Sequence, residues 1–250
     1  MTVPHTPHAV SRLRATRLAR SAKPFLARGG PRIERCAGCR VLPSHCFCDL
    51  RPVLPVRVGM CLLMADIEPL KPSNTGWLIA DVVADTFAFT WARTEVDPAL
   101  LALLADPQWQ PYLVFPAEVV EGGRPVTGVL PVEAEDNHPG KRPLFVLLDG
   151  TWSEASRMFR KSPYLDKLPV LSLQSGQLSN YKLRRSQRDE AFCTSEVASL
   201  CLALAGDAHA AETLAAYLDV FTGRYLSAKQ QQPVDTDDAA HQRLRMLREG

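Results

Sequence analysis

The chain is 250 residues long, 46% hydrophobic and 22% charged, a size and balance that suit one large α/β domain with a small appendage. No apolar run reaches the roughly 18 residues that a membrane-spanning helix needs, and the start of the chain lacks the apolar core of a secretory signal, so the expected location is the cytoplasm. The net charge is only +2, but residues 1–60 carry eleven Lys/Arg against Glu34 and Asp49, a local +9 that leaves −7 for residues 61–250.

In chain order, residues 1–30 form a basic arm, irregular or partly helical, that includes Arg17 and Arg20 and ends at the hinge Gly29-Gly30-Pro31. Such an arm fits a polyanionic partner reached through phosphates, and equally a solvated tail without one. Its acid-free, Arg-rich start also has the look of an organellar transit peptide, but an RNA-binding arm explains the same residues. Residues 31–52 hold a cysteine cluster, read as a small metal-binding module. The main domain spans 53–228, and 229–250 is a polar tail, read as a weak helix or frayed end. Within the main domain short apolar runs alternate with helical patterns. Strands are expected at Val56–Met64, Phe87–Trp91, Tyr112–Phe115, Leu144–Leu148 and Leu168–Leu173. Helices are expected at Thr75–Val83, Pro98–Leu104, Trp152–Arg160, Thr194–Ala205 and Ala208–Leu226, the fourth opened by Thr194 with Glu196 in its first turn. A Gly/Pro-rich excursion, Glu121–Arg142, interrupts the series. This order predicts a mainly parallel α/β sheet with flanking helices, whose ligands sit at the carboxyl ends of the strands.

Four of the seven cysteines fall within thirteen residues, as Cys36-x2-Cys39 and Cys46-x-Cys48. Clustered thiols in a chain without an export signal point to a structural metal, with zinc in a closed four-cysteine site as the first choice. His45 is a spare ligand, and spacing alone leaves an iron–sulfur cluster open. Cys61, Cys193 and Cys201 sit in apolar surroundings and read as core.

Leu148-Asp149-Gly150-Thr151-Trp152 places a carboxylate at a strand tip before a helix. The phosphatase pattern D-x-D-G-T is excluded, because its nucleophile would stand at Leu147. Taken alone, Asp149 or Thr151 reads as a helix N-cap. Lys71-Pro-Ser-Asn-Thr-Gly76 is a strand-to-helix loop whose Ser73, Asn74 and Thr75 can hold an anionic group or cap a helix. Neither G-x-x-x-x-G-K-[ST] nor G-x-G-x-x-G is present, which argues against conventional nucleotide-binding loops. Between residues 153 and 188, Arg157, Arg160, Lys161, Lys167, Lys182, Arg184, Arg185 and Arg188 face only Glu154 and Asp166. With Tyr181 among them, this stretch suits an unpaired base and its phosphates, or a solvated face.

Taken together these motifs resemble the DTW-domain family, named for Asp-x-Thr-Trp, here Asp149-Gly150-Thr151-Trp152. In order they are the cysteine cluster, Glu68-Pro-Leu-Lys-Pro-Ser-Asn-Thr-Gly76, Leu113-Val-Phe-Pro116, Leu148–Trp152 through Ser162-Pro-Tyr-Leu165, Tyr181-Lys-Leu-Arg184, and Cys193-Thr-Ser-Glu-Val197. Trp77 stands where a basic residue is expected. The resemblance covers roughly residues 25–230. It implies a SPOUT-like, knotted transferase fold and transfer of a 3-amino-3-carboxypropyl group from S-adenosylmethionine to N3 of a uridine in the variable loop of tRNA, with methylthioadenosine as co-product. In that reading Asp149 is the general base, with Thr151 and Trp152 beside it. Ser73, Asn74 and Thr75 anchor the amino-acid end of the donor, and Tyr181, Leu183 and Thr194 line its adenosine pocket. Leu148, Gly150, Arg184, Cys193 and Glu196 complete the donor site, while Arg157, Arg160, Lys161, Arg17 and Arg20 meet RNA. A monomer is favoured. The rival readings are a SPOUT-like RNA methyltransferase, a non-catalytic zinc-stabilised RNA-binding module, and an rRNA target in place of tRNA.

Overall fold

The computed structural model describes residues 7–22, 33–120, 123–130, 140–173 and 192–249. Its centre is a six-stranded sheet in the order β2-β1-β5-β3-β6-β4, every neighbouring pair parallel. The strands are β1 Gly59–Met64, β2 Thr86–Thr90, β3 Trp109–Val114, β4 Val126–Thr127, β5 Arg142–Asp149 and β6 Val170–Leu171. β1 is buried throughout, as a central strand covered on both faces must be. The Gly/Pro-rich excursion contributes only the two-residue edge strand β4, and of Leu168–Leu173 only Val170 and Leu171 join the sheet.

The helices are α1 Ala9–Ala19, α2 Gly76–Val82, α3 Pro98–Ala105, α4 Trp152–Arg160, α5 Thr194–Leu204, α6 Ala208–Gln230 and α7 Ala239–Glu249. Their starts follow local chemistry. Asp97 accepts from the Ala99 N–H at 2.9 Å with Pro98 in the first turn of α3, and Thr151 with Glu154 forms a capping box on α4. Alternation along β1 and β5 sorts the core into two layers. Leu62, Met64 and Leu147 face Trp77 and Leu78 of α2, Cys201 and Leu202 of α5 and Tyr217 of α6. Cys61, Leu63 and Val146 face Leu100 and Leu103 of α3 and Met158 and Phe159 of α4.

Val10 of α1, together with Cys39, Val41 and Phe47, belongs to the first layer, so the arm and the cysteine cluster share a core with the sheet. The polar end of the chain is also built in. α6 runs to Gln230, and α7 returns with His241 and Leu244 at 2% and 0% exposure. His241 and Leu244, with Ala240 and Leu247 packed beside them, give this helix its inner side.

Candidate active site

β1 and β5 are neighbours, yet the chain leaves them in opposite directions. β1 leads through α2 to β2 on one side, and β5 leads through α4 to β6 on the other. Such a divergence opens a crevice at the carboxyl ends of the two strands, where open parallel sheets hold ligands. Met64 and Asp149 are paired at that edge, and the Asp149 carbonyl accepts from Ala65 N–H at 2.9 Å.

The Asp149 side chain is turned inward, at 4% exposure. Leu148 packs on the α3/α4 layer, so alternation directs Asp149 to the opposite face, toward α2 and α5. Asn74 Nδ2 donates to its Oδ2 at 2.7 Å, and Thr194 Oγ1 donates to its Oδ1 at 2.6 Å. The helix-cap alternative therefore falls to Thr151. Its Oγ1 accepts from Glu154 N–H at 3.3 Å, while Glu154 Oε2 accepts from Thr151 N–H at 2.8 Å. Gly76 lets the carboxylate come this close, because a Cβ there would stand 2.7 Å from Asp149 Oδ2.

A second buried carboxylate faces the first. Glu68, at 6% exposure, lies on the single helical turn Glu68–Leu70, with its Oε2 3.4 Å from the same Asn74 Nδ2 and its Oε1 paired with Lys71. Burial raises the proton affinity of both acids. At Glu68 the charge of Asp149 adds to that rise and Lys71 opposes it. At Asp149 the bonds from Thr194 and Asn74 and the charges of Lys71 and Arg40 oppose it. Glu68 escapes a sequence reading that looks for acids at strand tips, because it sits in a loop and acts through Asn74.

Arg40 is the other residue that the cysteine spacing hides. It takes a left-handed conformation, φ 65°, directly after Cys39, and is 3% exposed. Its Nη1 donates to the Lys71 carbonyl at 2.9 Å and its Nη2 to the Asn74 carbonyl at 2.8 Å. The guanidinium lies 4.3 Å from the Trp77 ring, a cation–π contact. Trp77, at the position expected to be basic, is thus a core indole carrying a cation from another segment.

Thr75 Oγ1 accepts from Ser195 N–H at 3.4 Å, which ties the loop to α5. α5 opens at Thr194 with Glu196 in its first turn, as its sequence suggests, and its cap is Cys193. Glu196 Oε2 accepts from Cys193 N–H at 2.6 Å, and Thr194 is released to bond Asp149. Burial, then the charge of Glu196, pushes the Cys193 thiol up to about 12, so it stays neutral. Ser73 and Gly150, the chain neighbours of Asn74 and Asp149, are half-buried. Tyr181, Leu183 and Arg184 lie outside the described residues.

Trp152 is 50% exposed and parallel to Phe115, 5.6 Å between centroids. Arg157, Arg160 and Lys161 are exposed along α4. Arg17, by contrast, grips Asp66 with two bonds of 2.7 and 2.8 Å, while Arg20 is exposed at the end of α1. Two cavities among the described residues lie away from Asp149, one beside α4 and one between α1 and β2.

The Sγ atoms of Cys36, Cys39, Cys46 and Cys48 all lie within 4.8 Å of one another. Neighbouring pairs stand at 3.5 Å for Cys36–Cys48 and Cys36–Cys46 and 3.8 Å for Cys39–Cys46. Four sulfurs about 2.3 Å from one tetrahedral ion are separated by about 3.8 Å, so the set fits a single zinc. Without a cation the four cannot all ionise. The Cys48 thiol draws Cys39 down to about 5, and burial pushes Cys46 up to about 11. His45 is engaged elsewhere, with Ser44 Oγ and the Gln232 carbonyl, each at 2.9 Å.

The family model described as the DTW domain matches residues 33–226. The tRNA-uridine aminocarboxypropyltransferase 2 of Drosophila melanogaster is 34% identical over 182 residues, which cover 69% of this chain and 67% of that protein. No solved structure matches.

Proposed function

This chain belongs to the DTW-domain family, and on that premise we propose that it moves the 3-amino-3-carboxypropyl group of S-adenosylmethionine onto N3 of a tRNA uridine in the variable loop. The observation that carries the reading is the buried Asp149 carboxylate at the β1/β5 divergence, anchored by Asn74 and Thr194. Uridine N3 is a poor nucleophile until its proton is removed. Burial strengthens Asp149 as a base, and a base with raised proton affinity is the kind needed near neutral pH. Thr194 is only half-buried, so its hydroxyl is the reachable end of the pair. As N3 bonds to the γ-carbon of the amino-acid arm, the carbon–sulfur bond breaks, sulfur keeps its electron pair, and the imide proton passes to Asp149.

Attack on the γ-carbon in place of the methyl is a matter of pose. Ser73, Asn74 and Thr75 hold the amino-acid end, and Thr194 with Gly150 borders the rest, whereas Leu148 packs on the opposite, α3/α4 layer and drops out of the donor site. Tyr181, Leu183 and Arg184 complete the donor site in the same proposal, as does the likeness to knotted SPOUT-type transferases. Arg157, Arg160, Lys161 and Arg20 would meet RNA phosphates. Arg17 joins them only by leaving Asp66. The four-cysteine group would hold zinc as a structural ion, closed to substrate by its four sulfurs.

Incubation with unmodified tRNA and donor, followed by nucleoside mass analysis, tests the proposal. An aminocarboxypropyl adduct on uridine is expected. A methyl adduct would make the chain a methyltransferase, and tRNA binding without any adduct would leave a zinc-stapled RNA binder.

A further inference from the structure

Beside α4 the sheet edge carries a cavity of about 410 Å³, lined by Val119, Arg124, Pro125, Phe159, Arg160 and Asp166. That volume is near the lower end of the roughly 300–1,000 Å³ of small-ligand sites, room for one nucleoside and not for a paired helix. Phe159, on its wall, lies parallel to Phe115 with centroids 4.4 Å apart, and Phe115 lies parallel to the half-exposed Trp152. Arg124 stands 5.4 Å from the Phe159 ring and is fixed by its Nε bond to the Leu168 carbonyl at 2.9 Å and by a second bond to the Leu165 carbonyl. Arg160 is exposed, with Arg157 and Lys161 beside it. One wall of the site is therefore the Arg124 guanidinium backed by the buried Phe159, its rim is cationic, and Asp166 supplies a side-chain acceptor.

We infer that this cavity receives an unpaired nucleotide flanking the modified uridine, its base against the Arg124 guanidinium, its phosphate on Arg160, and its base edge donating to Asp166. Trp152, at the other end of the aromatic row, offers the strand a stacking surface on its way to the crevice. The inference deepens the tRNA reading and rests on it. Two observations favour RNA over the donor here. The cavity is on the α4 face, opposite the layer that holds Asn74 and Thr194. Its rim is cationic, and the donor carries a net positive charge.

The test compares the full chain with Val119→Trp, which fills the cavity, and with Arg160→Ser. Filling the cavity should weaken binding of unmodified tRNA about tenfold, the loss of roughly one stacked base, with donor affinity by calorimetry unchanged. Arg160→Ser should weaken tRNA and lower the slope of log K against log salt by about 0.7–0.9. Thermal melts report folding, and if Val119→Trp does not fold, the smaller filling Val119→Phe takes its place in the same comparison. Unchanged tRNA affinity and slope, or loss of donor binding with tRNA binding intact, overturns the subsite. A wild-type chain that does not bind tRNA sinks the parent reading first, and the subsite with it.

Discussion

Asp149 accepts one hydrogen bond on each oxygen at 4% exposure, so its orientation is fixed before any substrate arrives. Asp149→Asn keeps the shape and removes the base. Transfer measured by nucleoside mass analysis should fall about 10²–10⁴-fold, with the melting temperature little changed. Retained turnover would take the role from Asp149. Glu68→Gln tests the pair. The charge of Asp149 raises Glu68, and that coupling acts equally in the other direction. With Glu68 neutralised, Asp149 releases its proton more readily, so the acid limb of the transfer-rate profile should move to lower pH. A limb that stays or rises would separate the two acids. Stability follows the same sign. Both carboxyls bind protons more tightly folded than unfolded, so their contribution is present below the ordinary carboxylate range and is lost as pH climbs through the raised values. Glu68→Gln should flatten that decline in melts taken across pH. Asp149 was legible because a motif names it and an apolar strand precedes it. Glu68 and Arg40 were not, since each acts through Asn74, and side-chain reach across the β1–α2 loop leaves no periodic trace in the sequence.

The central strands were legible as unbroken apolar runs, and α2 through α6 as periodic ones, to within a few residues at most ends. β4 and the limits of β6 were not, because two-residue strands owe their pairing to neighbours more than to their own side chains. Cap chemistry was half-legible. Thr151 was one of two alternatives on α4, while α5 does open at Thr194 with Glu196 in its first turn, and only its cap, Cys193, went unread. Thr151 thus belongs first to its helix. Thr151→Ala should lower stability by about 1 kcal/mol, roughly 2–4 °C in Tm for a chain of this size, and Thr151→Ser should restore it. Transfer should fall only modestly, through looser placement of Trp152. A loss of transfer beyond about tenfold at unchanged Tm would put the hydroxyl in the chemistry instead.

Whole-molecule coupling runs through the cysteine cluster, which shares a core with α1, the sheet and α6. On one side Arg40 leaves Cys39 and holds the Lys71 and Asn74 carbonyls. On the other, His45 reaches the Gln232 carbonyl. Nearby, Arg224 donates to His241 Nε2 at 2.9 Å, leaving Nδ1–H to bond Asp238 at 2.7 Å. A metal that fixes the four sulfurs therefore also fixes the backbone from which Asn74 reaches Asp149. Stripping it with a chelator, or replacing Cys39 by Ser, should lower stability by about 3 kcal/mol or more, on the order of 10 °C in Tm, because binding energy at such a site is folding energy. Arg40→Lys separates the two effects. It keeps the charge and loses the two-pronged grip on the loop, so transfer should drop several-fold while the metal content matches that of the unsubstituted chain. If chelation lowered Tm yet left the remaining folded enzyme fully active, and Arg40→Lys were silent, the cysteine cluster would staple the fold without shaping the crevice.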